Sequence, residues 1–212
     1  MTPPNPFANP KNVASYEAWY QTTGRTADQQ EKALLDHLLS EYPTARSILE
    51  VGCGTGHFTR WFNQMNLRAF GLELSWLMLE ESKRLGRLTC LQGDALDLPF
   101  EGSSFDLVAM ITSLEFILDP IQALAEAVRV ARQGLIFGVI NAQSCLGWKY
   151  KRGGGPIWEV AHLFTVGELT QVIQRVTAKT PRFVWRTTLW SIWPGSLPLP
   201  WGGFIGMAVR LE

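Results

Sequence analysis

The sequence predicts an α/β fold built on an open, mostly parallel sheet, and three observations carry that prediction. From Ser47 onward, short apolar runs alternate with helical patterns, the arrangement of right-handed βαβ units. The first of these runs, Ile48 to Val51, passes directly into Gly52-Cys53-Gly54-Thr55-Gly56 and then into a helix. Three successive strands deliver acids, Glu50, Glu73 and Asp94, to the edge where parallel sheets bind ligands.

The elements follow in order. A Pro/Asn-rich tail to about Pro10 reads as loose. Val13 to Gln21 makes a short aromatic helix, and a second starts at Thr26-Ala27-Asp28, with Ala33, Leu34, Leu38 and Leu39 at helical spacing. The glycine turn lets the backbone take positive φ and come close to a ligand, and the helix Phe58 to Asn66 offers unpaired N–H groups at its start. Strand two, Arg68 to Glu73, ends on a carboxylate able to accept both hydroxyls of a ribose. Strand three is Leu88 to Gln92 and strand four Phe105 to Ile111. Asp119-Pro120 caps the next helix, which runs to about Ala131, and strand five is Gly134 to Ile140. A long Gly/Trp-containing segment, Asn141 to Phe164, precedes a capping box at Thr165 and Glu168 and a helix to about Thr177. Phe183 to Ile192 and Phe204 to Leu211 are the last two strands, giving seven in all.

Four motifs then stand in register. They are Glu50-Val51-Gly52-Cys53-Gly54-Thr55-Gly56, Gly71-Leu72-Glu73-Leu74-Ser75 with Met78-Leu79, Gly93-Asp94-Ala95 with Leu98-Pro99-Phe100, and Ser104-Phe105-Asp106-Leu107-Val108. In order and spacing, from about Tyr16 to Ile140, the chain resembles the class I S-adenosylmethionine-dependent methyltransferases, in particular the type-11 subgroup. The resemblance implies a Rossmann-like fold whose last strand is antiparallel, forming a C-terminal hairpin. It also implies one domain over 1–212, with a helical lid over 1–45, a cofactor-binding core over 46–141, and a substrate-covering segment and hairpin over 142–212.

Residue roles follow from the same resemblance. S-adenosylmethionine is the implied cofactor and S-adenosylhomocysteine the product. Gly52, Cys53, Gly54 and Gly56 would pass beside the methionyl part, and Glu50 would orient its ammonium. Glu73, with Leu74 beside it, would take the ribose. Gly93, Asp94 and Ala95 would hold the adenine, the Asp94 carboxylate and the Ala95 N–H meeting the base. Thr112 and Ser113 would lie beneath the cofactor, and Tyr16, Trp19 and Tyr20 would close over it, where a π face favours a sulfonium. Two positions depart from the common pattern: the acid on strand two is more often Asp, and relatives often hold His where this chain has Glu115. Glu115 and His162 are the candidates for acid–base work on the acceptor. The bland alternatives are a solvated carboxylate for the first and a structural ring for the second.

Bulk properties narrow the partners. With 19 basic and 19 acidic residues the chain has no net charge and no Lys/Arg run, so a nucleic-acid substrate is not expected. No apolar stretch reaches membrane-spanning length and the start, Met1 to Pro6, lacks signal-peptide features, so the expectation is a cytoplasmic protein without membrane contact. Cys53, Cys90 and Cys145 have no zinc-ligand spacing, and no metal is expected. Trp148, Tyr150, Trp158, Trp190, Trp193 and Trp201 fall in segments that would cover the ligand edge. They suit a planar or hydrophobic small-molecule acceptor, or else a homodimer contact. The reading is therefore methyl transfer to a small molecule. The alternative is a catalytically inactive module that binds S-adenosylmethionine and serves a partner protein.

Overall fold

The computed structural model describes residues 6–190 and 194–211. Seven strands form one sheet in the order β3-β2-β1-β4-β5-β7-β6, with β1 Ser47–Val51, β2 Arg68–Glu73, β3 Cys90–Gln92, β4 Phe105–Ile111, β5 Ala131–Ile140, β6 Arg182–Thr188 and β7 Phe204–Arg210. The first five are parallel, and β7 runs antiparallel to both β5 and β6. The Rossmann-like sheet with its antiparallel end is thus present. Parallel order puts the carboxyl ends of β1, β2, β3 and β4 on one edge, so the turns that follow them face the same region.

The helices are α1 Pro10–Gln21, α2 Arg25–Leu39, α3 His57–Gln64, α4 Trp76–Leu85, α5 Pro120–Val130, α6 Cys145–Gly153, α7 Pro156–Val160 and α8 Val166–Val176. Alternate residues along the central strands divide the core in two. Leu49, Val51, Val108 and Met110 pack with Leu124 of α5 and Leu169 of α8. Ile48, Leu107 and Ala109 pack on the other face with Leu34, Leu35 and Leu38 of α2 and Phe58 and Phe62 of α3. β4 is buried at every position, as a strand covered on both faces must be.

Several expected boundaries are corrected. The tail is not loose up to Pro10: Pro6–Ala8 forms a 3-10 turn, and the Phe7 ring packs edge-on against Tyr16 and Phe116. β5 starts three residues earlier than Gly134, because Ala131 pairs with Phe105 across a register shift. β3 begins at Cys90 instead of Leu88. The 141–164 segment contains two short helices: Ser144 accepts from the Gly147 N–H at 2.9 Å and caps α6, which α7 follows. β6 closes at Thr188, and the expected strand residues Ser191 and Ile192, like Trp193 and Met1 to Asn5, lie outside the described residues. The capping box is present, with the Glu168 N–H donating to Thr165 Oγ1 at 3.1 Å and the Thr165 N–H to Glu168 Oε2 at 2.8 Å. Among the described residues no helix is long and apolar enough to cross a membrane.

Candidate active site

β1 ends on Glu50 and Val51, and the chain turns through Gly52, Gly54 and Gly56 with φ of +76°, +55° and +82°. Gly52 shows why the turn needs glycine: a Cβ there would lie 2.5 Å from the Cβ of Ser113. Ser113 is itself fixed, its hydroxyl donating to the Val51 carbonyl at 2.8 Å. The N–H groups of Gly52 and Cys53 donate to the Leu72 carbonyl at 2.8 and 3.0 Å. Glu73 completes the tie, Oε2 accepting from the Gly54 N–H at 2.9 Å and Oε1 from the Ser75 N–H at 2.8 Å. The result is a backbone cradle that opens into the N-terminus of α3, the geometry that favours a negatively polarised ligand group.

The cradle is acidic and dry. Glu50 is buried, accepts from the Thr59 hydroxyl, and forms no ion pair among the described residues. Burial pushes its pKa up to about 8, against a smaller opposing effect of the Thr59 bond, and burial also raises that of Glu73. The nearby Arg60 is engaged elsewhere, pairing with Glu17 at 3.1 Å. A buried carboxylate without a cation is a destabilising arrangement that a ligand ammonium would relieve. Glu73 keeps unused lone pairs on both oxygens, enough to accept two ribose hydroxyls without releasing its backbone donors. Over the turn lies Tyr16, whose ring is 3.7 Å from where a Cβ on Gly54 would sit. Its buried phenol feels the charges of Glu50, Glu17 and Glu73.

Beyond β2 and β3 the cradle opens to a shallower shelf. Leu74 is 53% exposed. Gly93 donates to the Glu73 carbonyl at 3.1 Å, and the exposed Asp94 accepts from the Leu96 N–H at 2.9 Å, with Ala95 half-buried between them. An apolar face beside an outward carboxylate fits a purine edge. Thr112 follows β4 at φ 49°, its N–H held by the Gly138 carbonyl at 2.7 Å. Trp19 is committed to the α1–α2 corner, lying over Gly24 and edge-on to Tyr20.

Sequence spacing did not reveal that Cys53 and Cys90 meet. A Cβ on Gly71 would lie 2.6 Å from one sulfur and 2.9 Å from the other, so the bare glycine of β2 leaves the space in which the thiols interact. The Cys53 hydrogen bond lowers the Cys90 pKa to about 7. The signal available in the sequence was Gly71 in the middle of a strand flanked by two cysteine-bearing segments.

A further buried acid follows β4. Glu115 sits in a 3-10 turn, Leu114–Phe116, and is 1% exposed. Its Oε1 accepts from the Ile140 N–H at 2.9 Å, its Oε2 has no partner among the described residues, and burial raises its pKa to about 7. Rings pass around this turn in sequence: Tyr20 to Tyr16 at 5.3 Å, Tyr16 to Phe7 at 6.2 Å, Phe7 to Phe116 at 5.1 Å, Phe116 to Trp158 at 5.8 Å, and Trp158 stacked on Tyr150 at 4.2 Å. Of the tryptophans expected at the ligand edge, only Trp158 joins this belt among the described residues. Trp148 is exposed beside the Arg152 guanidinium, Trp190 donates to the Thr187 carbonyl at 3.1 Å, and Trp201 is exposed. His162 meets Glu115 only through its backbone, its N–H donating to the Glu115 carbonyl at 2.7 Å. Its ring is exposed and edge-on to Phe164. Glu31 was missed. It lies on α2, 5% exposed, and its position three, four and seven residues before Leu34, Leu35 and Leu38 was the signal that it faces inward.

A glycine cradle on this strand order, with acids at the tips of β1 and β2, resembles the nucleoside-cofactor sites of class I methyltransferases. The comparisons agree. A family model described as "Methyltransferase domain" matches residues 49–138. A SAM-dependent methyltransferase of Thermotoga maritima, described as a possible histamine N-methyltransferase, superposes with a TM-score of 0.79 at 27% identity, over 97% of this chain and 98% of its own. An uncharacterized protein of Methanocaldococcus jannaschii is 28% identical over 80% of each chain. A dTDP-3-amino-3,4,6-trideoxy-alpha-D-glucopyranose N,N-dimethyltransferase of Streptomyces venezuelae is 28% identical over 78% of this chain and 75% of its own. Some other curated relatives are matched over less than half of their own length. Residues 49–138 thus carry a methyltransferase domain, in a chain similar over nearly its whole length to a SAM-dependent methyltransferase, and S-adenosylmethionine is the cofactor this similarity implies.

Proposed function

We propose that the protein methylates a small molecule with a planar or apolar body, seated against Tyr16, Phe116, Tyr150 and Trp158. One observation carries this reading: the Tyr16 ring lies 3.7 Å from where a Cβ on Gly54 would sit and joins the aromatic belt through Phe7, so the belt adjoins the cradle. S-adenosylmethionine supplies an activated methyl group on a sulfonium with a good leaving group. The protein's part is alignment and exclusion of water, which can contribute about 7–11 kcal/mol.

In this reading Glu50 holds the cofactor's ammonium beside Gly52 and Gly54, and Glu73 takes the ribose. Asp94 and Ala95 meet the adenine, with Leu74 against its face. Thr112 and Ser113 floor the site next to the sulfonium, and Tyr16 and Tyr20 roof it. Glu115 is the proton acceptor, its buried Oε2 without a partner among the described residues. His162 contributes through its backbone bond to Glu115. The acceptors named for relatives differ, a sugar nucleotide for one and, as a possible acceptor, histamine for another, so the acceptor class is read from this chain's own residues.

The test is incubation of the purified protein with S-adenosylmethionine and a panel of planar and apolar small molecules, following S-adenosylhomocysteine by mass spectrometry. Turnover with at least one of them is the expected result. Tight S-adenosylhomocysteine binding without turnover on any of them would instead favour the inactive binding module.

A further inference from the structure

Glu31 and Glu115 come from distant parts of the chain, and both are buried, 5% and 1% exposed. Glu31 lies on α2 and Glu115 follows β4, yet Glu31 feels the charges of both Asp28 and Glu115. Glu31 makes no side-chain hydrogen bond or ion pair among the described residues, and Glu115 has a buried oxygen, Oε2, without a partner there. The cations in reach do not serve them. Lys32 binds Asp28 at 2.8 Å, and His57 takes the other oxygen of Asp28 at 2.7 Å. The belt of rings ends at Tyr20 on one side and Tyr150 on the other, and both phenols lie in the field of Glu31. Glu31 is thus coupled to both ends of the belt and to a second carboxylate, and neither acid forms an ion pair among the described residues.

We infer that these side chains form one compartment, built for a cation: the methyl acceptor is an amine carrying an aromatic or apolar group, with Glu31 and Glu115 as the residues that select it. This deepens the methyltransferase reading above and rests on it. Ring faces attract ammonium groups, and a desolvated ammonium between two carboxylates satisfies charges that otherwise have no partner. An uncharged alcohol of the same shape would leave both carboxylates unmatched, the arrangement that gives the largest discrimination between otherwise similar ligands. Chemistry follows from the same pair. The amine enters protonated and gives one proton to the free Oε2 of Glu115. Its released lone pair forms the carbon–nitrogen bond as the carbon–sulfur bond breaks, the bonding electrons remaining on sulfur. The methylated ammonium and S-adenosylhomocysteine are the products.

The experiment measures equilibrium binding by titration calorimetry, with and without saturating S-adenosylhomocysteine. The probes are benzylamine, 2-phenylethylamine and 3-phenylpropylamine, each against its alcohol counterpart. At least one amine should bind more than about tenfold tighter than its alcohol. Glu31→Gln and Glu115→Gln should each reduce that preference, and the double variant should abolish it, while S-adenosylhomocysteine affinity and the near-UV circular dichroism stay at wild-type values. Equal binding of every amine and alcohol, or a preference that survives in the double variant, overturns the inference. Failure of the wild-type protein to bind S-adenosylhomocysteine would overturn the underlying cofactor assignment instead. The amine-to-alcohol ratio measured without it still decides the inference about the acidic compartment.

Discussion

One added methyl group at Gly52 is enough to test the cradle. Gly52→Ala combines an unfavourable positive φ with a Cβ only 2.5 Å from that of Ser113, which is anchored to Val51 and cannot yield. We expect at least a ~100-fold loss of S-adenosylhomocysteine affinity by calorimetry. Glu73→Ala removes the acceptor shared by the Gly54 and Ser75 amides as well as the ribose acceptor, and should cost more than ~10-fold in the same measurement. Wild-type affinity in either variant would refute the assignment of that residue. At this scale the sequence was informative where a residue's role is local. A glycine after a strand, or an acid at a strand tip, can be read from its neighbours. Glu31 could not be read so directly, because Asp28-Gln29-Gln30-Glu31-Lys32 looks like a solvated face until the register with Leu34 and Leu38 is counted. The Cys53–Cys90 contact depends on which strands are adjacent, and that belongs to the sheet.

Helix α8 offers a test at the level of one element. Its capping box satisfies both Thr165 and Glu168 amides, and the helix packs through Leu169 and Ile173 in the half of the core that faces away from α2 and α3. Thr165→Ala should lower unfolding stability by about 1 kcal/mol in chemical denaturation, and leave S-adenosylhomocysteine affinity unchanged. A loss of affinity would show that α8 supports the site. The capping box was readable from four residues, as was the Asp119-Pro120 start of α5, where the Asp119 carboxylate accepts from the Gln122 N–H at 3.0 Å. Elements held by tertiary contacts were not readable. The Pro6–Ala8 turn exists because Phe7 finds Tyr16 and Phe116, and α6 and α7 lack the apolar periodicity that would announce a helix, since their rings point into a belt shared with other segments.

Across the whole molecule, buried carboxylates set the pH dependence of stability. Burial raises Glu31 and Glu50 from 4.5 to about 8 and Glu115 to about 7, so the folded protein binds these protons more tightly than the unfolded chain does. For an acid shifted upward, the stabilisation is complete below the unfolded pKa and is lost as pH rises through the folded one. The cofactor-free protein should therefore lose thermal stability between about pH 5 and pH 8.5. Glu50→Gln should flatten that decline, as should saturating S-adenosylhomocysteine, whose ammonium would neutralise the same carboxylate. A melting temperature that rises steadily over this range in all three samples would contradict the burial of these groups as ionisable acids. The variant should also bind S-adenosylhomocysteine more weakly than wild type, so a gain in stability would accompany a loss of function.

Tyr16 belongs to both halves of this arrangement. On one side its ring lies over the turn, 3.7 Å from where a Cβ on Gly54 would sit; on the other it meets Phe7, and its hydroxyl lies 3.1 Å from that of Tyr20. In the proposed arrangement, any displacement of α1 that unseats this one phenol would disturb the donor's resting place and the acceptor's wall together. Donor and acceptor would then share a single latch, and loading or release of either would register at the other.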